Sequence, residues 1–256
     1  MYKLIIFDLD GTLAESKQPL TGEMATLFAK LLDVTKVAIA SGGALPQFIK
    51  QVVACLPRHA NLSNFYLLPT SGAALYEFDS STSQRAGNNW NKIYEEHITE
   101  KEVADIEAVI KEVVKETGTI DFSEPSWGER IEYRGGQVTF SALGQEAPIA
   151  EKKAWDPEHL KRRVLQEKIA ARLPQFLVSI GGSTSIDVSK LGIDKAYGVH
   201  QLCKRLEIPE SEAMYIGDEL EKGGNDEAVY KTEVATCAVV SPSDTEITIK
   251  AILSKY

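Results

Sequence analysis

Cysteine is scarce in this chain of 256 residues, and its 28 Lys and Arg residues are outnumbered by 37 Asp and Glu residues. Its three cysteines, Cys55, Cys203 and Cys237, are scattered and form no CxxC pair. We therefore expect reduced thiols in the core of a cytosolic protein. The formal net charge of −9 argues against a protein that binds nucleic acid or an anionic membrane.

Long hydrophobic runs are missing as well. No run approaches the length of a membrane span, and Met1 leads directly into a predicted strand rather than into a signal peptide. A cytoplasmic location without membrane contact is the expectation. The hydrophobic content of 43% still supports a globular core, and the length suits one large domain or two modest ones.

Strand-like and helix-like segments alternate in the first and last parts of the chain. Strands are predicted at Leu4–Phe7, Val37–Ala40, Phe65–Leu68, Ala213–Ile216 and Val234–Val240, and helices at Gly22–Leu32, Pro46–Leu56, Ala196–Leu206 and Thr245–Ser254. This alternation indicates an α/β fold with a Rossmann-like parallel sheet. Active sites of such sheets lie beyond the carboxyl ends of the strands, where Asp8, Ser41 and Thr70 fall.

The middle of the chain has a different pattern. Asp79–Asn89 is polar and typical of a linker or hairpin. After it come a helix from the Thr99/Glu102 capping box to Gly118, a hairpin over Arg130–Ser141, a helix from Asp156-Pro157 to Leu173, and strands at Phe176–Ile180 and Ser183–Val188. We therefore predict a discontinuous core domain, residues 1–80 and 189–256, with an inserted α+β cap domain, residues 81–188.

Two carboxylates follow the first predicted strand in the segment Asp8-Leu9-Asp10-Gly11-Thr12. Side chains two positions apart in an extended segment share a face, so Asp8 and Asp10 are expected to point at one site. Burying two anions side by side is costly unless a cation or a proton compensates. A divalent metal and an anionic substrate would provide that compensation, so the segment indicates phosphoryl transfer.

Three later segments place further polar groups at predicted strand ends. Ser41-Gly42-Gly43 offers a hydroxyl and flexible backbone N–H groups to a phosphate oxygen. Lys195 is able to neutralise a transferring phosphoryl group, and the stretch from Asp218 to Asp226 adds oxygen ligands. Each segment alone is typical of an ordinary turn or a solvated helix end. Together with the paired aspartates they are much harder to explain that way.

In this order the four segments resemble the motifs of the haloacid dehalogenase (HAD) superfamily of phosphotransferases. The resemblance implies an aspartyl-phosphate intermediate, with Asp8 as nucleophile and Asp10 as general acid and base. It implies that the phosphoryl oxygens are held by Ser41 and Lys195, with Thr12 and Gly42 beside them. It also implies Mg²⁺, bound by the Asp8 carboxylate, the Asp10 backbone carbonyl and Asp218, with Asn225 and Asp226 completing or orienting that shell.

The predicted cap resembles the type IIB caps of this superfamily, and several stretches are similar to eukaryotic-type phosphomannomutases. Those stretches are Ile131–Gly136, Ser179–Gly182, Ser185–Val188, Gly192–Lys195 and Gly223–Asp226. In that family the cap sets substrate specificity. It binds the non-reacting phosphate through arginines and the sugar hydroxyls through a Ser/Asp pair. The resemblance assigns Arg134 to the phosphate, and Ser185 and Asp187 to the hydroxyls.

Two of the family's arginines are replaced in this chain. Gln145 stands at one such position, and Lys152 corresponds to another, which keeps the charge but not the planar guanidinium. A mutase must bind a bisphosphorylated sugar in both orientations, so weaker phosphate binding counts against it. We therefore expect first a Mg²⁺-dependent phosphatase, a hydrolase acting on sugar phosphates. The alternative is a phosphomannomutase, an isomerase that interconverts mannose 6-phosphate and mannose 1-phosphate.

Further expectations depend on which alternative holds. A mutase would need a hexose 1,6-bisphosphate activator, whereas a phosphatase would not. A non-enzymatic sugar-phosphate sensor is a third interpretation, although every catalytic position of the core is filled. A small sugar phosphate is the expected partner in each case, and the resemblance implies a homodimer formed through the cap.

Overall fold

The computed structural model describes residues 1–81 and 89–256. It divides into two compact units, residues 1–95 with 194–256 and residues 96–193. The predicted domain boundaries lie after residues 80 and 188, whereas the units divide after residues 95 and 193, because the strand at 90–95 pairs with the sheet of the first unit. Within the described part of the chain, no helix is long and apolar enough to cross a membrane.

Both units contain strands and helices. Over the described residues, the strands are β1 (Leu4–Phe7), β2 (Lys36–Ala40), β3 (Phe65–Leu68), β4 (Ala74–Phe78), β5 (Trp90–Glu95), β6 (Ile131–Tyr133), β7 (Gln137–Ser141), β8 (Phe176–Gly181), β9 (Ser185–Lys190), β10 (Ala213–Gly217) and β11 (Ala235–Ala238). The helices are α1 (Gly22–Val34), α2 (Leu45–Gln51), α3 (Glu100–Thr117), α4 (Ile149–Trp155), α5 (Leu160–Arg172), α6 (Lys195–Leu206) and α7 (Pro242–Leu253).

The first unit contains a seven-stranded sheet in the order β11-β10-β1-β2-β3-β4-β5. Strands β11 to β3 run parallel, and β4 and β5 add an antiparallel pair at one edge. The predicted α/β fold with a parallel central sheet is confirmed, but the sequence did not predict β4 and β5. The polar stretch expected as a linker or hairpin joins these two strands, and its residues 82–88 lie outside the described part.

Strand β1 lies in the middle of this sheet and is buried on both faces. Ile5 and Phe7 pack in one hydrophobic cluster with Phe28 of α1, whereas Leu4 and Ile6 pack in the opposite cluster, which contains Val199 of α6. Burial on both faces explains why a parallel central strand has a continuous apolar sequence. Because β10 and β2 flank β1 in parallel, their carboxyl ends meet at one edge of the sheet.

The second unit pairs an antiparallel sheet with helices. Its four strands have the order β6-β7-β9-β8, and one face packs its apolar side chains against α3 and α5. Helix α3 has the predicted capping box at Thr99 and Glu102, and it ends at Gly118 with a φ of 62°. The alternate side chains of β7 and β9 are polar and buried, among them Thr139 and Asp187.

Two predicted helices differ from the observed ones. The helix expected over residues 46–56 ends at Gln51, and only a short 3-10 turn comes after it. The helix expected to start at Asp156-Pro157 begins at Leu160 instead, because His159 before it is left-handed with φ 60°. Helix α4, just before this turn, was not predicted, since its short charged sequence has no apolar periodicity.

The three cysteines are free, but their burial differs. Cys203 is buried, whereas Cys55 and Cys237 are half-buried at the margin of the core. The expectation of core thiols therefore holds in full only for Cys203. Free thiols of this kind behave as small apolar side chains.

Candidate active site

The first strand leads directly into a buried carboxylate. Asp8 comes after β1, and Nζ of Lys195 donates a hydrogen bond to its Oδ1 at 2.6 Å. Lys195 is the first residue of α6, whose N-cap Asp194 accepts a hydrogen bond from the backbone N–H of Tyr197 at 3.1 Å. Helix capping and the end of the central strand thus bring together two residues that are far apart in the sequence.

The Lys195 ammonium has three oxygen partners. Besides Asp8, its Nζ donates to Asp226 Oδ1 at 2.6 Å and to Asn225 Oδ1 at 2.5 Å. An ammonium has three N–H donors, so each finds an acceptor here. The amide nitrogen of Asn225 in turn donates to Glu219 Oε2 at 2.8 Å. Asn225 therefore orients Lys195 and Glu219 at this end of the sheet.

Asp226 is completely buried and is fixed from several sides. Its Oδ1 also accepts a hydrogen bond from the Tyr215 hydroxyl at 2.5 Å, and its Oδ2 accepts one from the backbone N–H of Glu219 at 3.2 Å. Its carboxylate lies against Gly217, where an added Cβ would come within 2.4 Å of Oδ2. Buried carboxylates need such partners, and Tyr215 supplies one from within β10.

Asp218 comes after β10 and is seated by the turn after β1. The Thr12 hydroxyl donates to Asp218 Oδ1 at 2.7 Å. Gly11 has a φ of +95°, and a Cβ there would lie 2.2 Å from Asp218 Oδ2, so this turn requires glycine for two reasons. The sequence interpretation gave Thr12 a role toward substrate; the structure places its hydroxyl on Asp218.

Asp8, Asp218 and Asp226 form a cluster with the donor set of a metal site. Each offers a carboxylate oxygen, and these oxygens all lie within 4.8 Å of one another. Three carboxylates surround a single lysine ammonium, so the cluster carries excess negative charge. Carboxylate oxygens are hard donors that suit a divalent cation such as Mg²⁺. These three aspartates, of which Asp8 and Asp226 are buried and Asp218 is half-buried, can therefore hold a metal ion.

The pKa values reflect this crowding. Burial raises the pKa of Asp8 well above its usual value, the charges of Asp226 and Asp218 add to the effect, and Lys195 opposes it. Burial likewise raises the pKa of Asp218 to about 6, against the hydrogen bond from Thr12. Burial works against the Lys195 ammonium, but the charges of Asp226 and Asp8 raise its pKa above the usual value. A divalent cation would relieve this arrangement.

Asp10 has a different set of partners. Its Oδ1 accepts hydrogen bonds from the backbone N–H of Lys17 at 2.6 Å and from Gln51 Nε2 at 3.3 Å, and its Oδ2 accepts one from Gln47 Nε2 at 3.0 Å. Strand β1 ends at Phe7, so the alternation of a strand does not extend to Asp10. The two aspartates are therefore neighbours in sequence whose carboxylates are held by separate groups.

Ser41 and Gly42 come after β2, the strand beside β1. Ser41 is buried, and its hydroxyl oxygen accepts a hydrogen bond from the backbone N–H of Gly43 at 3.4 Å. The backbone N–H of Ser41 donates to Leu68 O at 3.2 Å, and its carbonyl accepts from Ser71 N at 2.9 Å. The loop after β2 is thus hydrogen-bonded to the end of β3. This agrees with the expectation that residues after parallel strands lie together at the carboxyl edge of the sheet.

In the second unit, the residues assigned to a phosphate are brought together. Arg134 Nε and Nη2 donate to Glu132 Oε2 at 2.9 and 2.6 Å, and Nη2 also donates to Gln145 Oε1 at 3.1 Å. Lys152 Nζ donates to the Gln145 carbonyl at 2.9 Å. Arg134, Gln145 and Lys152 therefore form one cluster, in which Glu132 balances the arginine.

The residues assigned to sugar hydroxyls lie two positions apart on β9. Ser185 and Asp187 belong to the polar face of the sheet, since Ile186 between them is part of the apolar core. Asp187 Oδ1 accepts a hydrogen bond from Thr139 Oγ1 at 2.8 Å. The Asp187 carboxylate also lies over Gly181, where a Cβ would be 2.3 Å from Oδ2.

Sequence reasoning missed several residues of the first unit. Tyr215 binds Asp226, and Gln47 and Gln51 bind Asp10. Tyr215 left one signal, a phenol in an otherwise apolar strand just before Gly217-Asp218. The glutamines left none, because their spacing gains meaning only once α2 is packed beside the first turn.

A lysine-bound aspartate after the central strand, an acidic cluster and a separate α+β unit together define a phosphotransferase of the HAD type. Solved structures agree with this fold. SMU.1108c from Streptococcus mutans aligns with a TM-score of 0.65 over 99% of this chain and 100% of that chain, at 17% identity. Plasmodium falciparum IMP-nucleotidase aligns with a TM-score of 0.70 over 98% of this chain and 68% of that chain, at 17% identity.

Sequence comparison shows the family. The family model for eukaryotic phosphomannomutase matches residues 24–255, so the chain belongs to that family. Phosphomannomutase of Glycine max is 28% identical over 254 residues, covering 94% of this chain and 92% of that protein. Phosphomannomutase of Saccharomyces cerevisiae is 26% identical over 249 residues, covering 94% of this chain and 91% of that protein.

These comparisons change the ranking of the three interpretations. The chain is an enzyme, a phosphotransferase of the HAD type, so the sensor interpretation is not supported. The relatives carry the name of the alternative function, phosphomannomutase, and support it better than the phosphatase that the sequence favoured.

Proposed function

We propose that the chain is a phosphomannomutase-type enzyme that moves a phosphoryl group between O1 and O6 of a hexose. The observation that carries the proposal is the buried Asp8 carboxylate, bound by Lys195 inside a cluster of three aspartates. A family match over residues 24–255 supports the same assignment. A cytoplasmic location remains a prediction from the sequence composition, and a homodimer through the second unit remains a prediction of the resemblance.

Asp8 is the proposed nucleophile. One of its carboxylate oxygens forms a bond to phosphorus while the bond from phosphorus to the sugar oxygen breaks, which leaves an aspartyl phosphate. Lys195 is held in place by Asp8, Asn225 and Asp226. Together with Ser41 and Gly42, it stabilises the negative charge on the phosphoryl oxygens. A carboxylate is a weak nucleophile, so this positioning and charge neutralisation must lower the barrier.

Asp10 is the proposed acid and base. It gives a proton to the departing sugar oxygen and later takes one from the hydroxyl that accepts the phosphoryl group. In a mutase that acceptor is a hexose monophosphate, and a hexose 1,6-bisphosphate first loads Asp8. In a phosphatase the acceptor is water.

Asp8 and Asp218 are the proposed holders of Mg²⁺, with the Asp10 carbonyl, while Asp226 and Asn225 orient the site. The donor set fits the ion, because the three carboxylates, two of them buried and one half-buried, outnumber their ammonium partner. When bound, Mg²⁺ supplies positive charge beside the transferring phosphoryl group. Thr12 and Gly11 keep the Asp218 carboxylate in place for this role.

The second unit is the proposed cap domain, and its residues recognise the rest of the substrate. Arg134 and Lys152 are assigned to the non-reacting phosphate, with Gln145 between them. Ser185 and Asp187 are assigned to sugar hydroxyls, for which a buried carboxylate on a polar sheet face is a suitable acceptor.

One observation favours a phosphatase as a second candidate. Glu132 binds Arg134 through two hydrogen bonds, and Gln145 replaces an arginine of the family. The cluster therefore offers less net positive charge to a second phosphate than a set of unopposed arginines would. A hydrolase does not need to bind a bisphosphorylated sugar in two orientations, so it tolerates this loss.

The deciding experiment incubates the protein with mannose 1-phosphate, Mg²⁺ and a trace of glucose 1,6-bisphosphate. Phosphorus NMR then monitors mannose 6-phosphate and inorganic phosphate separately. We expect mannose 6-phosphate to form faster than inorganic phosphate. Asp8→Asn should abolish both products, whereas Asp33→Asn, at an exposed aspartate of α1, should change neither.

Other outcomes would overturn the proposal in different ways. Inorganic phosphate without mannose 6-phosphate would replace the mutase by the phosphatase. Full activity of Asp8→Asn would remove the aspartyl-phosphate route.

A further inference from the structure

Two glutamines of α2 face the Asp10 carboxylate. Gln47 and Gln51 are four residues apart, so their side chains lie on the same side of the helix. Gln47 Nε2 donates to Asp10 Oδ2 at 3.0 Å, and Gln51 Nε2 donates to Asp10 Oδ1 at 3.3 Å. With the Lys17 backbone N–H on Oδ1 at 2.6 Å, both oxygens are bound. Bonds to both oxygens fix the plane of a carboxylate, which a single bond would leave free to rotate.

Gln51 is held more firmly than its contact with Asp10 alone requires. Its Nε2 also donates to the Gln18 carbonyl at 2.7 Å, and the side chain is 2% exposed. Its Oε1 is buried and has no hydrogen-bond partner among the residues that the structure describes. An unpaired buried oxygen costs stability, so stability alone does not explain a glutamine here. The side-chain amide of Gln51 is explained by the hydrogen bond that its nitrogen donates to Asp10.

Gln47 is accommodated by the loop after β2. A Cβ at Gly43 would lie 2.5 Å from Gln47 Oε1, so the missing side chain of Gly43 leaves room for the amide. The segment Ser41-Gly42-Gly43 therefore has a second use besides any contact with phosphate. It seats the glutamine that binds Asp10.

The neutral amide suits this position. A lysine beside Asp10 would add a positive charge, and a glutamate would repel the carboxylate. An amide N–H orients a carboxylate without adding charge to a site whose other members are strongly charged. We propose that Gln47 and Gln51 are positioning residues that aim Asp10 for proton transfer to the departing sugar oxygen.

The proposal rests on the proposed function, in that Asp10 supplies the proton. Its test uses two substrates that differ in whether their leaving group needs a proton. When glucose 1,6-bisphosphate loads Asp8, the departing sugar oxygen is an alkoxide that needs a proton from Asp10, whereas p-nitrophenyl phosphate releases a stable phenolate. The ratio kcat/KM reports the steps up to departure of this group, so it isolates the proton transfer from later steps.

We expect Gln47→Leu to lower kcat/KM for glucose 1,6-bisphosphate by about tenfold or more, because positioned acids contribute about 100-fold or more. For p-nitrophenyl phosphate, kcat/KM should stay within about twofold, since its departure needs no acid. Gln51→Leu should behave in the same way. Lys50→Leu, at an exposed position of the same helix, is the matched control and should change neither value.

Equal losses on both substrates would mean a structural role and would overturn the inference, and so would unchanged values on both. Thermal unfolding of each variant checks the fold. If the buried Gln51→Leu does not fold, the half-buried Gln47→Leu decides the matter alone. The inference applies equally to a mutase and a phosphatase, because both share the departure step. Absence of turnover in the wild-type protein would overturn the proposed function and this inference together.

Discussion

Each of the two units contains a nearly inaccessible ion pair. In the first unit the side chains of Lys195 and Asp8 are 3% and 4% exposed, and in the second those of Arg162 and Asp156 are 2% and 3% exposed. Burial is therefore the same in both. The groups that surround each pair are different.

The Arg162–Asp156 pair is balanced. Arg162 donates to Asp156 Oδ2 at 3.0 Å and to the carbonyls of Gly181 and Gly182. Asp156 also accepts hydrogen bonds from the backbone N–H groups of Lys161 and Arg162 at 3.0 and 3.1 Å. Burial works against the Asp156 charge, but these hydrogen bonds and Arg162 lower the pKa of its carboxyl. The pair ties α5 to the turn after β8.

The Lys195–Asp8 pair is unbalanced. Asp218 and Asp226 add two more carboxylates, and the pKa of Asp8 is raised rather than lowered. A buried pair with complete charge balance needs no further partner, whereas one with excess charge leaves a place for a ligand. The direction of the aspartate pKa distinguishes the two cases in this molecule.

The largest expected difference between the two ion pairs is the effect of an Asp→Asn substitution on the free energy of unfolding. Asp156→Asn should lower the free energy of unfolding by about 3–5 kcal/mol, because it leaves the buried Arg162 charge uncompensated. Asp8→Asn, measured without Mg²⁺, should leave that free energy unchanged or raise it, since it removes one of several crowded carboxylates. Urea unfolding of both variants in metal-free buffer makes the comparison. Similar losses in both would contradict the distinction.

The pH dependence of Mg²⁺ binding should be the next largest effect. The pKa of Asp218 is raised to about 6. Because a metal binds the ionised carboxylate, the apparent affinity for Mg²⁺ should rise by up to about tenfold per pH unit as the pH approaches that value from below. Isothermal titration calorimetry in buffers of different ionisation enthalpy would measure both affinity and proton release.

The pH dependence of folding stability should also differ between Asp156 and Asp8. The pKa of Asp156 is lowered, so its stabilisation is complete above the usual carboxyl value of about 4 and is lost only as pH falls below it. Asp8 has a raised pKa, so its ionisation costs stability as pH rises.

Mg²⁺ affinity that does not change between about pH 5 and about pH 8 would contradict the shift at Asp218.

A smaller effect is expected at Tyr215. Tyr215→Phe removes the hydroxyl that donates to Asp226, which should cost about 1.5–3 kcal/mol of stability for a hydrogen bond to a charged group. Tyr66→Phe is the matched control, since the Tyr66 hydroxyl accepts a long hydrogen bond of 3.5 Å from Lys36, and it should cost less than about 0.5 kcal/mol. Thermal unfolding measures both. Equal losses of stability in the two variants would mean that the hydrogen bond to Asp226 contributes no more than the long contact of Tyr66.

The sequence predicted the strand-end residues well because they depend on local rules. Strand β1 is a short apolar run, and the residue after such a run in a parallel sheet lies at its carboxyl edge, as Asp8 does. The capping box at Thr99 and the left-handed Gly118 are local signals too, and both are present.

The parts that sequence reasoning missed depend on partners distant in the chain. Strands β4 and β5 are stabilised by pairing with each other and with β3, which no periodicity within them reveals. The contact of Tyr215 with Asp226 crosses from a strand to a loop, and the contacts of Gln47 and Gln51 with Asp10 cross from a helix to a turn. Such contacts exist only in the folded chain.

The separation of Asp8 and Lys195 by 187 positions has a consequence for the newly made protein. At about 5–20 residues per second, the ribosome adds Lys195 about 10–40 s after Asp8. During that interval β1 can pair with β2 but not with β10, and the whole of the second unit is synthesised. The second unit can therefore fold on the ribosome before Asp8, the proposed nucleophile, acquires its ammonium partner, and the ability to transfer phosphate is among the last properties that the growing chain gains.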